Sequence, residues 1–296
     1  MAIPLIAVVG TTASGKSELA IQLAERLAGE IVSADSRQVY RGLDIGSGKV
    51  TPAERARVPH HLLDVADVRQ RFTVAAYQRL AFAAIEDIWR RGRQPLLVGG
   101  SGLYIRAVVD NPDYPAVPPQ AGLRRQLEQT PLPELVTQLR ALDPVGARDI
   151  DLRNPRRVVR ALEVTVATGE PFSRQRRTSE SRVDALQLGL TWPREALRRR
   201  IESRVDARLP GIVDEARRLL DRGVPAARLV ELGLEYRFMT RYLLGELSEV
   251  EATTGLKRAI YQFARRQLTW FRRDPRIHWL TPERALEDAL AVLHRR

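Results

Sequence analysis

The sequence predicts a parallel α/β core interrupted by a helical insert. Three features carry that expectation: short apolar runs ending in small or acidic residues, helical periodicity between them, and a proline-rich stretch where the alternation stops. The first run, residues 5–9 (LIAVV), closes on Gly10, and from Ser17 onward Leu19, Leu23 and Leu27 recur at helical spacing, giving strand, glycine loop, helix. Residues 30–35 (EIVSAD), 61–64 (HLLD) and 95–99 (PLLVG) read as further buried strands, with Tyr77, Leu80, Ala84 and Ile88 on one face of a helix between the last two. Buried strands that alternate with helices form parallel sheets, whose ligands gather at the carboxyl ends of the strands.

The alternation breaks at residues 111–120 (NPDYPAVPPQ), where four prolines make a stiff connector. Over residues 123–169 the reading is helical, with apolar positions at Leu123, Leu127, Leu135, Leu139 and Leu142, then Val158, Val159, Leu162 and Val166. A polar stretch, residues 169–181, closes this unit. Residues 186–192 (LQLGLTW) then read as another strand, and the remainder as mostly helical. The core is therefore expected to be discontinuous, residues 1–111 plus 186–296, around a helical insertion domain spanning 112–185.

With 296 residues, 44% of them hydrophobic and 28% charged, the chain has the length and composition of an ordinary globular protein. It has no cysteine, which excludes disulfides, a thiol nucleophile and Cys-ligated zinc and fits a cytoplasmic location. The apolar start lacks the basic lead of a signal peptide and runs into a glycine loop, and no stretch approaches the roughly 18 apolar residues of a membrane span. The formal net charge of +12 makes a polyanion such as nucleic acid a reasonable partner. Only three of the 48 cationic residues are lysines, Lys16, Lys49 and Lys257. In so arginine-rich a chain, a lysine marks a place where a compact ammonium is wanted rather than a planar fork.

Gly10, Thr11, Thr12, Ala13, Ser14, Gly15, Lys16 and Ser17 match G-x-x-x-x-G-K-[ST] after a strand and at a helix start, the context that motif requires. Its amides and the positive helix end form a cradle for a di- or triphosphate, Lys16 neutralises phosphate oxygens, and Ser17 can ligate Mg²⁺. The core is thus expected to be P-loop NTPase-like. A cradle alone does not say which bond breaks. Asp35 and Asp64, at strand ends, are the candidates for a metal-binding carboxylate of ATP chemistry. Asp35 equally suits a proton acceptor or a helix cap. Ser101, in the glycine-rich turn after residue 99, suits either a helix cap or a site role. Residues 257–273 form a helix whose Arg258, Arg265 and Arg272 share a stripe while Ile260, Phe263, Ala264 and Phe271 cluster on another face. That helix could track RNA phosphates or simply carry a solvated basic side. Arg153, Arg156, Arg157 and Arg160 make a second basic cluster, and His60 and His61 read as structural.

Taken together the segments resemble the bacterial tRNA dimethylallyltransferases, or tRNA isopentenyltransferases. The resemblance rests on GTTASGKS at 10–17, DSRQVYRGLDIGSGK at 35–49, HHLLD at 60–64, LLVGGSGLY at 96–104, RNPRRVVRALEV at 153–164, RIESRVD at 200–206 and RRQLTWFRRDPRIHWL at 265–280. It implies transfer of a dimethylallyl group from its diphosphate to the exocyclic amine of the adenosine 3′ to the anticodon. By this resemblance Asp35 is the catalytic base, Ser101 stands where the family usually has Thr, and Arg204 joins Lys16 on the diphosphate. Asp35, Ser36, Arg37, Gln38, Ser101, Arg124, Arg156, Arg157, Val158, Val159, Arg160 and Arg237 fall where the family meets tRNA, with the insert gripping the anticodon stem. Magnesium is the implied cofactor, and a monomer is expected. The chain departs from the family pattern at Thr11, at IGSGKVTP and at GLEYR, residues 233–237. The rivals are prenylation of free adenine nucleotides, a P-loop kinase or ATPase, and a non-catalytic RNA-binding protein.

Overall fold

A computed structural model describes residues 2–115, 117, 120–175 and 179–295. Parts of the proline connector and of the polar stretch 169–181 lie outside those residues. The chain divides into two compact units, one made of residues up to Val109 together with Ser181 onward, the other of Asp110–Glu180.

In the first unit β1 (Ile3–Gly10), α1 (Lys16–Arg26), β2 (Gly29–Ser33), α2 (Pro52–Arg57), β3 (His60–His61), α3 (Val74–Arg90), β4 (Gln94–Gly99) and α4 (Gly102–Val109) follow one another. The second unit holds α5 (Ala121–Gln129), α6 (Leu132–Leu142), α7 (Pro144–Asp149), α8 (Pro155–Thr168) and α9 (Phe172–Gln175). The first unit resumes with β5 (Val183–Leu190), α10 (Arg194–Asp221), α11 (Ala226–Leu232), α12 (Leu234–Leu243), α13 (Glu249–Phe271), β6 (Ile277–Leu280) and α14 (Ala285–His294).

The six strands form one parallel sheet in the order β3-β2-β4-β1-β5-β6. β1 lies at its centre, in register with β4 at Ile6↔Leu96 and with β5 at Ile6↔Leu186. Because side chains alternate across a strand, Leu5, Ala7 and Val9 of β1 enter one core with α3 and α4, while Ile6 and Val8 enter another with α1 and α14. Both faces are covered, which is why these strands read as unbroken apolar runs. A third cluster joins Ala13 of the glycine loop to Ile201 and Val205 of α10 and to Leu256, Ile260 and Ala264 of α13. The second unit has its own core of Leu127, Leu135, Leu139, Val158, Val159 and Leu162. Among the described residues no helix is long and apolar enough to cross a membrane.

The elements depart from the sequence reading at four places. β5 begins at Val183, so residues 183–185, assigned to the insert, belong to the sheet, where Val183 pairs with Ile3. β6 lies in the remainder expected to be mostly helical; it is a four-residue edge strand whose middle two positions are exposed, too short for alternation to register. The run 61–64 is a strand only at His60–His61, then turns through Leu62 and Asp64 at φ 61° and 60°, so Asp64 is not at a strand end. Phe263 lies outside the buried stripe of α13, which runs through Ala252, Leu256, Ile260, Ala264, Gln267 and Phe271.

Candidate active site

β1 delivers the chain to the edge of the sheet, and residues 10–17 wrap there into the start of α1. Gly15 caps the helix at φ 97°, a left-handed conformation that costs an L side chain about 1 kcal/mol or more. Three loop carbonyls are each held by a side chain. Lys16 Nζ donates to Thr11 O at 3.1 Å, Arg200 Nε to Ala13 O at 2.9 Å, and Trp192 Nε1 to Ser14 O at 2.8 Å. Arg200 also stacks over the Trp192 ring, 4.5 Å from its centre. With those carbonyls engaged and Ala13 itself at φ 59°, the loop has the alternating backbone of an anion nest. Ser14 Oγ is buried without a hydrogen-bond partner among the described residues, as a group awaiting a ligand would be.

The loop opens on a cavity of about 1520 Å³ whose lining includes residues 13–18 and, from α10, Arg199, Arg200, Arg204 and Arg208. Arg200, Arg204 and Arg208 recur every four residues, so one helix face carries a ladder of guanidinium groups. Burial pushes Lys16 down to about 8, against the attraction of Asp35 and with the repulsion of Arg204. Burial, reinforced by Arg204 alongside, pushes Arg208 down to about 10. Arg204 is lowered by the same desolvation, which Glu235 and Asp35 partly offset. Glu235, raised by burial, faces Arg204, Arg208 and Thr12 across a cleft of about 30 Å³. Positive charge concentrated in a partly dry site is unstable by itself and favours an anion.

Asp35 and Ser101 stand at the ends of the neighbouring strands β2 and β4, on the same edge as the loop, though neither lines the large cavity. Asp35 Oδ1 accepts from Arg37 N at 2.8 Å, a local turn bond that leaves the other oxygen out of that bond. Ser101 Oγ accepts from Ser36 N at 3.0 Å, and Ser101 N donates to Ala34 O, so the serine ties the two strand ends together. Gln38 spans inward, accepting from Ser33 Oγ at 3.0 Å and donating to Gly48 O at 3.1 Å. Asp64 lines the cavity but pairs with Lys49 and Arg55.

Sequence reasoning missed Arg200, Arg208, Gln267 and Glu215. The arginines were legible as a four-residue repeat, and the other two as polar residues on apolar helical stripes. Glu215, 3% exposed, accepts from the amides of Asp44, Ile45 and Gly46 at 2.8–2.9 Å and from Tyr236 Oη at 2.6 Å. It thereby seats the loop whose Gly48 meets Arg204. Lys49 completes the loop: its buried ammonium donates to Tyr40 O at 2.9 Å and Asp44 Oδ1 at 2.6 Å as well as to Asp64, which uses all three protons as a fork could not. Lys257 forms an ordinary pair with Asp206. Glu215→Gln should cost about 3 kcal/mol in urea unfolding, because one amide oxygen cannot serve four donors and each stranded donor costs 1–3 kcal/mol. Tyr236→Phe, which strands none of the backbone amides, should cost about 1 kcal/mol; equal losses would show that the carboxylate does not act as the clamp.

The residues expected to meet RNA are treated unevenly. Arg156 and Arg157 are exposed at the start of α8. Val158 and Val159 are buried at 0% and 4%, and their side chains build the core of the second unit. Arg124 and Arg160 both pair with the fully buried Glu163, and Arg160 also donates to Val117 O, which leaves each only partly available. In the first unit Arg237 is exposed while its neighbour Tyr236 is buried on Glu215, and Gly233 packs beside Arg37. Arg258 and Arg265 are exposed on α13, and Arg272 is exposed just past its end.

Residues 38–274 match the family model described as IPP transferase. The chain is 49% identical over 285 residues to the tRNA dimethylallyltransferase of Thermobifida fusca, covering 93% of this chain and 89% of that protein. It is 48% identical over 280 residues to the enzyme of the same name from Streptomyces coelicolor, covering 94% and 90%. Among solved structures it is similar to the tRNA isopentenylpyrophosphate transferase of Bacillus halodurans, at 38% identity and a TM-score of 0.73 over 98% of this chain and 96% of that one. A eukaryotic dimethylallyltransferase captured acting on tRNA is 28% identical with a TM-score of 0.79, over 95% of this chain and 74% of that one. The chain belongs to the IPP transferase family.

Proposed function

We propose that this protein transfers a dimethylallyl group from dimethylallyl diphosphate to the exocyclic amine of the adenosine 3′ to the anticodon in tRNA. The allylic C–O bond breaks, a bond from the amine nitrogen to the allylic carbon forms, and diphosphate and one proton leave. The reading rests on one observation: the two cations beside the cradle of loop amides, Lys16 and Arg204, both lie within electrostatic reach of Asp35, at the same edge of the sheet. The cradle and the two cations match a leaving group whose negative charge grows in the transition state. Asp35 then takes the proton that the amine sheds on alkylation, and Ser101, fixed to Ser36, holds the edge against which the base would sit. The target base must leave its stack to reach this edge. Arg156 and Arg157 of the second unit, and Arg258 and Arg265 of α13 with Arg272 at its end, are suited to RNA phosphates.

The residues present fit magnesium held mainly by phosphates and water. Ser17 opens on the cavity, and no cluster of three or more acidic or histidine side chains able to hold an ion occurs among the described residues. Mg²⁺ keeps several waters and takes few protein oxygens. When bound on Ser17, the ion would supply charge neutralisation for the departing diphosphate.

Pure protein with Mg²⁺, dimethylallyl diphosphate and an adenosine-containing anticodon stem-loop should add one dimethylallyl group to the RNA, read by intact mass. Parallel reactions with AMP as acceptor and with ATP as donor separate the rivals. Prenylation of AMP in preference to the stem-loop, or phosphate release from ATP without prenyl transfer, would overturn the reading.

A further inference from the structure

The amide of Gln267, on the otherwise apolar stripe of α13, is 7% exposed and bridges two loops of the site. Its Oε1 accepts from Thr12 N at 2.8 Å, and its Nε2 donates to Gly100 O at 2.8 Å. The Thr12 N–H belongs to the same peptide plane as the Thr11 carbonyl, and that carbonyl accepts from Lys16 Nζ at 3.1 Å. One peptide group is thus pinned at both ends, by Gln267 on its hydrogen and by the phosphate-facing ammonium on its oxygen. At the other end, Gly100 leads into Ser101, which binds Ser36 beside Asp35. The approach is close: a Cβ on Gly100 would lie 2.4 Å from Gln267 Nε2, and one on Gly102 would lie 2.2 Å from Trp270 Nε1, one helical turn further along.

We propose that Gln267 is a positioning residue that fixes the Thr11–Thr12 peptide plane, and with it Lys16, and sets the spacing between the diphosphate loop and the Ser101 turn. This rests on reading residues 10–17 as the diphosphate cradle. A peptide plane held on one side only can rotate. Rotation would swing the Thr11 carbonyl towards incoming phosphate oxygens and deprive Lys16 of its support. The two bonds of Gln267 separate these roles, since the carbonyl oxygen serves the donor loop and the amide hydrogen serves the Ser101 turn.

The test compares wild-type enzyme with Gln267→Met and Gln267→Glu by calorimetric binding of inorganic diphosphate and by kinetics with donor and stem-loop RNA varied in turn. Gln267→Met removes both bonds at similar length. It should weaken diphosphate binding and lower kcat/KM for the donor about 10²-fold, the scale of an ångström-sized misplacement, while the KM for RNA stays within about twofold. Gln267→Glu keeps an acceptor for Thr12 N–H and loses the donor to Gly100 O. It should lose kcat, while diphosphate binding falls only by the few-fold expected of the added negative charge and stays well above that of Gln267→Met. The proposal is overturned if the two variants behave alike, if the KM values for donor and RNA rise together, or if folded Gln267→Met binds diphosphate as wild type does. Should Gln267→Met not fold, Gln267→Glu still decides, because unchanged kcat in it contradicts the bridge. Diphosphate binding does not depend on prenyl transfer, so a wild type that binds it yet modifies no RNA would sink the functional reading alone.

Discussion

Asp35→Asn leaves diphosphate binding close to wild type and lowers kcat by about 10²–10⁴, the usual contribution of a positioned general base. Asparagine keeps the acceptor oxygen that Arg37 N uses, so the turn after β2 persists. What disappears is a group able to take the proton from the alkylated amine, together with the negative charge that Lys16 and Arg204 see. Single-turnover transfer to stem-loop RNA at saturating donor measures this directly. Turnover near wild type would remove Asp35 as the base, and a parallel loss of diphosphate binding would make it a structural carboxylate.

Lys16→Met is expected to reduce kcat/KM for the donor by about 10²–10³, the cost of removing one preorganised donor aimed at developing charge. Lys16→Arg should not restore it, because the ammonium occupies a buried niche against Thr11 O that a planar fork would overfill. The same group sets an alkaline limb. Burial holds Lys16 near 8 in the free enzyme, so its charge is present below that pH and lost as pH rises through it. Since kcat/KM reports the free enzyme, it should fall above about pH 8. kcat should hold to higher pH, because bound diphosphate stabilises the charged form. In Lys16→Met the limb should vanish along with most of the activity; an unchanged limb would assign it elsewhere.

The strands around β1 were legible because a parallel sheet covered on both faces leaves long apolar runs, and the glycine loop because its spacing is tied to a backbone shape. The edge strands β3 and β6 were not. With two and four residues they owe their state to the neighbours they pair with rather than to any local period. Phe263 follows Ile260 by three residues, a spacing that reads as the same face, whereas the buried positions advance by four from Ala252 to Ala264 and leave it outside. Of the candidate site, the placement of Lys16 and Ser17 at a helix start and of Asp35 and Ser101 just beyond strands was readable from the motif and the apolar runs. Arg124 and Arg160 were named as RNA contacts because charge reads as exposed, whereas a single buried carboxylate, Glu163, draws both inward. The Arg160–Glu163 pair is legible from its three-residue spacing on a helix, but nothing local announces that the same carboxylate also draws in Arg124, 39 residues away.

The carboxylate of Glu215 sits on three consecutive amides much as a bound anion would. These three amides thus form a backbone hollow built for negative charge that keeps a permanent tenant. The hollow beside Lys16 has none among the described residues, which on the proposed function leaves it open to the exchange of donor and product.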